Sequence, residues 1–433
     1  MKQSLQLLVA SLFFAGTSAF AQNNNSKGYY KDVFMDSGVN LTSRQDLPAA
    51  RYLNLDWEVY YSATGKKGDP ITVTDSLMQT FTMVGSEQDQ NGILLYPDGE
   101  PRFRMIYVNG GKASTHGKSL GENGREHFRE YVKNGGSYVG TCAGAFLASL
   151  GTTTDAEPKD SYFHLWKGRT VHTALYDVAT DMFVEENSPL LNYYAFGNDM
   201  HIDSVKHWGG CYLSTAYDFP KETEILLRYD YDKEPLKNGD RLHKQISSWA
   251  YKENETSGRV VVIGSHPESH VSGERLELMA ALMRYAMDGN GNPHVKCELR
   301  NNMPVEMTKM TIDNDPSHCR VGDRQYHHFK VVVPENTKEL KVKLESVDAA
   351  NTHNLSLFVQ PETFAFNDNA LYKEVSLGIT KELVIDRPQA GTYYISVLGE
   401  DTVTATKGVY GVVYTDNLDV LNGVPYKIAV SFQ

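Results

Sequence analysis

The chain has 433 residues, 41% hydrophobic and 22% charged, with 42 basic against 54 acidic side chains and a formal net charge of -12. At ~100–200 residues per domain this is enough for two domains with cores of their own. The acidic balance, with no Lys/Arg cluster standing against it, argues against nucleic acid or an acidic membrane surface as partner, because both select basic patches.

The first segment, "MKQSLQLLVASLFFAGTSAFAQ", places Lys2 before an apolar run from Leu5 to Ala15 and the small-residue triplet Ala19-Phe20-Ala21. That pattern predicts a cleaved signal peptide over residues 1–21, with cleavage near Ala21 and a secreted or periplasmic protein. The apolar run is shorter than the ~18 residues a membrane span needs, and no later stretch reaches that length, so no span is expected.

Residues 29–288 alternate strand and helix signals. Lys31–Asp36 reads as a strand, Arg44–Leu53 as a helix, Trp57–Ser62 as a strand, and Phe103–Gly111 as a strand closed by paired glycines. Gly121–Gly136 is a helix whose Phe128, Tyr131 and Val132 share one face. A strand-into-helix unit follows from Ser137, another strand opens at Arg259, and a helix runs on from Ser272. The alternation predicts an α/β domain around a mostly parallel sheet. "DGNGNP" (Asp288–Pro293) is a break. Beyond it, "HHFKVVVP", "ELKVKLES", "NLSLFVQ", "KELVIDRP", "GTYYISVLG" and "YKIAVSFQ" alternate polar and apolar residues, which predicts an all-β sandwich over 295–433. Its partner is open between a protein, a carbohydrate and the α/β domain itself.

Four cysteines, Cys142, Cys211, Cys297 and Cys319, are too few for a disulfide framework. A Cys297–Cys319 bridge is one possibility, and a Cys142–Cys211 bridge would abolish any nucleophile. No metal site is expected: there is no Cys-x-x-Cys, and Pro267 argues against the helix that would align His266 and His270 on one ion. No cofactor is implied.

"GGSYVGTCAGAFLAS" (Gly135–Ser149) carries the main chemical signal. A cysteine at a tight strand-to-helix turn projects clear of the sheet, and the helix N-terminus lowers its pKa and offers N–H donors to an oxyanion. Gly140 and Gly144 flank Cys142 where a side chain would collide with backbone. The bland alternative is a small buried hydrophobe in a glycine-rich packing turn. "GSHPES" (Gly264–Ser269) supplies the partner: in an extended stretch His266 and Glu268 face the same side, and a carboxylate beside an imidazole fixes its tautomer and stabilises its protonated form.

Together these motifs resemble the class I glutamine amidotransferase-like superfamily, and within it the group named after the N-terminal domain of biotin-protein ligase. "YVNGG" (Tyr107–Gly111) is similar to that family's oxyanion loop, "NGGSYVGTCAGAFLAS" to its elbow and "GSHPES" to its His-Pro-Glu. The resemblance implies a flavodoxin-like sheet with helices on both faces. It also implies Cys142 as nucleophile, His266 as general base, Glu268 as its orienter, and Gly110, Gly111 and the N–H of Ala143 around an oxyanion. The closing segment similarly resembles the pre-peptidase C-terminal domains of secreted bacterial hydrolases. Lys112 and His116, with Ser114, follow the glycine pair as candidate substrate contacts, against a reading as solvated loop; Trp166, Trp208 and Tyr212 are candidates to cover the cleft or to pack the core. No synthase domain accompanies the motifs, so a role feeding ammonia to one is not implied. Two readings follow: a secreted cysteine hydrolase of a small-molecule or peptide amide, or a catalytically inactive binding protein of the cell envelope.

Overall fold

A computed structural model describes residues 28–433 except 39–40, 43–45, 63–84, 86–89, 292, 312–315, 349 and 409–410. The expected export segment 1–21 and most of the loop 65–90 lie outside the described residues. The first half builds one nine-stranded sheet. β1 (Lys31–Asp36), β2 (Trp57–Tyr60), β3 (Phe103–Val108) and β4 (Ser137–Thr141) run parallel with the strand Val260–Ile263, in the order β2-β1-β3-β4-Val260–Ile263. Ile246–Tyr251, Glu224–Asp230, Val178–Val184 and His201–His207 then extend the sheet antiparallel. The sheet thus has the expected parallel half, five strands wide, and an antiparallel extension of four strands. Residues 149–259 contain no α-helix long enough to carry a crossover, so successive strands there pair antiparallel.

Helices lie on both faces, as expected. Phe34, Ile106, Val108 and Tyr138 pack with Phe128, Tyr131 and Val132 of α3 (Gly121–Lys133) and with Ala145 and Leu147 of α4 (Ala143–Ala148). The alternate residues Val33, Met35, Met105, Tyr107 and Val139 pack with Ala49 and Ala50 of α1 (Pro48–Tyr52) and with the 15-residue α5 (Gly273–Met287). Period-two alternation along each strand thus divides two cores across one sheet. α2 (Ala113–Ser119) follows the glycine pair. Among the described residues no helix is long and apolar enough to cross a membrane.

All six β segments anticipated after Asp288 are strands. They lie in a five-stranded and a four-stranded sheet whose facing side chains, among them Phe329, Leu357, Ile395, Val342, Ile428 and Val430, form a third core. This sandwich packs on the α/β domain through buried charge. Arg102 makes two bonds to Asp323, at 2.6 and 2.9 Å, donates to the Tyr414 hydroxyl at 2.8 Å, and lies 4.0 Å from the Tyr30 ring centroid. Lys296 reaches Asp98 at 2.7 Å and Glu100 at 2.6 Å. Of the partners left open for the sandwich, the α/β domain itself is one it touches.

Removing one member of a buried pair strands the other charge in low dielectric. Asp323→Ala is therefore expected to cost ~3–5 kcal/mol, visible as a lower urea midpoint of the full chain; an unchanged midpoint would contradict the docking described.

Candidate active site

β4 and the strand Val260–Ile263 are parallel neighbours, with Thr141 opposite Ile263, so the residues just past their ends meet at one edge of the sheet. In open sheets of this kind ligands gather at the carboxyl ends of the strands. Cys142 directly follows β4 and His266 lies just beyond the second strand. The Cys142 backbone belongs to both elements: its N–H donates to the Ile263 carbonyl at 3.0 Å, completing the ladder, and its carbonyl accepts from Ala145 and Phe146 at 3.1 and 3.2 Å, starting α4. Satisfying both holds it at φ +49°, ψ -102°, where a side-chain-bearing residue costs ~1–3 kcal/mol. The glycines expected around it are sterically required. A Cβ on Gly144 would lie 2.3 Å from the Val108 carbonyl oxygen, and one on Gly140 would lie 2.5 Å from the Gly144 backbone.

His266 and Glu268 meet differently from expectation. His266 leads directly into a 3₁₀ turn, Pro267–Ser269, instead of an extended stretch, and the turn brings the Glu268 carboxylate back to the imidazole. Nδ1 of His266 lies 2.8 Å from Oε1 of Glu268, which leaves Nε2 for the cleft. The Glu268 side chain is 2% exposed. A Cβ built on Gly110 would sit 2.5 Å from Cε1 of His266 and 3.5 Å from Cβ of Cys142, so imidazole and thiol flank the same glycine. Burial opposes a charge on His266, but the Glu268 carboxylate and the neighbouring Cys142 thiol outweigh it and push the imidazole up to about 10. This exceeds the unfolded value of ~6.5, so the charged ring contributes stability that is complete below ~6.5 and is lost as pH rises through the folded value.

The glycine loop is held by Asn109, which is fully buried. Its Oδ1 accepts from the Gly110 N–H at 2.8 Å and the Tyr107 hydroxyl at 3.2 Å. With the Gly110 N–H so engaged, Gly110 is removed from the set facing an oxyanion. Gly111 remains, at φ +145°, together with Ala143, whose N–H opens α4 and has no partner within that helix. Both lie next to Cys142 in sequence or in the cleft.

Lys112 is exposed and lines the cleft beside Cys142. His116 does not. It is fully buried, its Nε2 2.9 Å from Oδ2 of Asp36, and its ring packs edge-on to Phe163. The helix that begins at Ala113 turns it inward, so it ties β1 to α2 instead of contacting substrate. Trp166 and Tyr212 are core residues, whereas Trp208 is 49% exposed, lines the cleft and accepts from the Cys142 thiol through its carbonyl at 3.4 Å. Lys206, whose carbonyl accepts from the His266 N–H at 2.8 Å, also lines the cleft. No pattern around Lys206 marks it in the sequence. No disulfide joins Cys142 to Cys211 or Cys297 to Cys319. Cys211 is fully buried, which pushes its thiol far up, with a further rise from Cys142; it is poorly suited to act as a nucleophile.

The family profile described as the N-terminal part of biotin-protein ligase matches residues 92–160. That stretch holds the Gly110–Gly111 pair and Cys142, while His266 and Glu268 fall outside it. Comparison with curated proteins gives no match. Among solved structures, a glutamine amidotransferase is similar at 15% identity and TM-score 0.36, covering 59% of this chain and 98% of its own. A glutamine amidotransferase from Methylobacillus flagellatus is similar at 8% identity and TM-score 0.32, covering 55% and 71%. The pre-peptidase C-terminal domain of a Bacillus anthracis collagenase is similar at 13% identity and TM-score 0.20, covering 33% and 100%.

Because Glu268 is the largest influence holding the proton on His266, Glu268→Gln is expected to lower the His266 titration midpoint by about one unit or more. NMR titration of the ring nitrogens reads this directly; a midpoint unmoved by the substitution would remove Glu268 from the role of orienter.

Proposed function

We propose that the chain is a secreted cysteine hydrolase that cleaves an amide or peptide bond, with Cys142 as nucleophile, His266 as proton carrier and Glu268 as the group that orients and charges it. The observation that carries the reading is the pairing of His266 with buried Glu268 at 2.8 Å beside a strained elbow cysteine in an open cleft. The export pattern at the N-terminus supports the location.

With the proton on His266, Sγ of Cys142 attacks the carbonyl carbon and the carbonyl oxygen takes the negative charge. The N–H groups of Gly111 and Ala143 are placed to bind that oxygen. As the tetrahedral centre collapses, the C–N bond breaks and His266 gives its proton to the leaving amine. Water then gives a proton to His266 and attacks the thioester, and release of Sγ restores the starting state. The Glu268 carboxylate stabilises the imidazolium.

The test is amine release from a panel of peptide and small amide substrates by the mature protein. Cys142→Ala is expected to lower hydrolysis about 10⁴-fold or more, and His266→Ala about 10²–10⁴-fold. Full activity in Cys142→Ala would overturn the reading.

A further inference from the structure

The cleft does not share the charge of the protein around it. The chain carries a net -12, yet the cavity of about 470 Å³ that holds Cys142 and His266 is lined by Lys112 and Lys206. A second cavity of about 510 Å³, which shares Cys142, Gly111 and Lys112 with the first, adds Lys159. Lys159 is neutralised by Asp155 at 3.1 Å. Among the described residues, neither Lys112 nor Lys206 has a carboxylate within ion-pair distance, and the one carboxylate lining either cavity is Glu268, already engaged with His266. Two lysines without a carboxylate partner beside the thiol, in a chain of net charge -12, concentrate positive potential at the nucleophile.

The wall of the second cavity has a different character. Trp208 and Tyr176 are 49% and 52% exposed and stand edge-to-face, 6.1 Å between ring centroids, with His172 and Phe146 behind them. Exposed aromatic rings that line a cavity offer a flat apolar platform.

We infer that the substrate is an anionic amide: it carries a carboxylate or an equivalent negative group near the scissile bond, received by Lys112 and Lys206, and an apolar portion that lies along Trp208 and Tyr176. This rests on the cysteine-hydrolase reading above. A fixed positive potential in a partly enclosed cleft raises the local concentration of anions and favours their approach, an effect that falls with added salt.

Two alkylating reagents of similar size separate charge from reactivity. Iodoacetate is anionic and iodoacetamide is neutral, and both react with the same thiolate. The ratio of their rates at Cys142 therefore cancels the thiolate fraction and reads the potential met on approach. The ratio is measured by mass spectrometry of the labelled peptide and referred to the same ratio for N-acetylcysteine. The wild-type ratio is expected to exceed the free-thiol ratio by about tenfold at low ionic strength. It is expected to collapse with added salt and to return to the free-thiol value in Lys112→Gln/Lys206→Gln. A wild-type ratio at or below the free-thiol value, or one unmoved by the double substitution, overturns the anionic substrate while leaving Cys142 a nucleophile. Failure of both reagents to label Cys142 overturns the cysteine-hydrolase reading and this inference with it.

Discussion

The backbone of Cys142 answers to two elements at once. Its N–H completes the ladder to Ile263 and its carbonyl starts α4, and a chain that meets both demands at a single residue must pass through φ +49°, ψ -102°. The conformation persists because the surroundings over-determine it. Gly140 and Gly144 allow β4, α4 and the end of β3 to approach within distances that no Cβ would survive. The rest of the site follows from this turn. Once the thiol projects at the edge of the sheet, the neighbouring parallel strand delivers His266 to the same edge, and the 3₁₀ turn at Pro267 folds Glu268 back under it.

The surrounding architecture reads as support for that edge. Buried Asn109 braces the glycine loop from one side, and the His116–Asp36 pair locks α2 to β1 on the other. At the far side of the domain, the Arg102–Asp323 and Lys296–Asp98 pairs tie the sandwich to the segment that leads into β3. The cleft itself is left with exposed lysines and aromatic rings, the groups available to a ligand.

Much of this was legible in the sequence. The strand signals at Lys31–Asp36, Phe103–Gly111 and Ser137, the helix at Gly121 and all six β segments of the sandwich rest on short-range periodicity, and the structure places them there. The elbow was legible because glycine spacing reports backbone crowding directly. The antiparallel half of the sheet was not, since strand direction depends on the absence of crossover helices over a hundred residues rather than on any local pattern. His116 was misread because adjacency to the glycine pair says nothing about which way the next helix turns its face. Gly110 was assigned to an oxyanion contact, and only the position of the Asn109 side chain removes it. Lys206 could not be found from sequence at all, because its place beside Cys142 comes from a strand some sixty residues away.

The central claim is that Cys142 is a primed nucleophile whose state depends on His266. The direct test is site-resolved labelling of the folded protein with limiting iodoacetamide from mildly acidic to neutral pH, mapped by mass spectrometry. The account predicts that Cys142 is labelled well ahead of Cys211, Cys297 and Cys319 at the acidic end, where an ordinary thiol with a pKa of ~8.5 is almost wholly protonated, and that His266→Ala abolishes this lead. Labelling of Cys142 no faster than a free thiol, or its recovery in a disulfide with Cys211, would contradict the account.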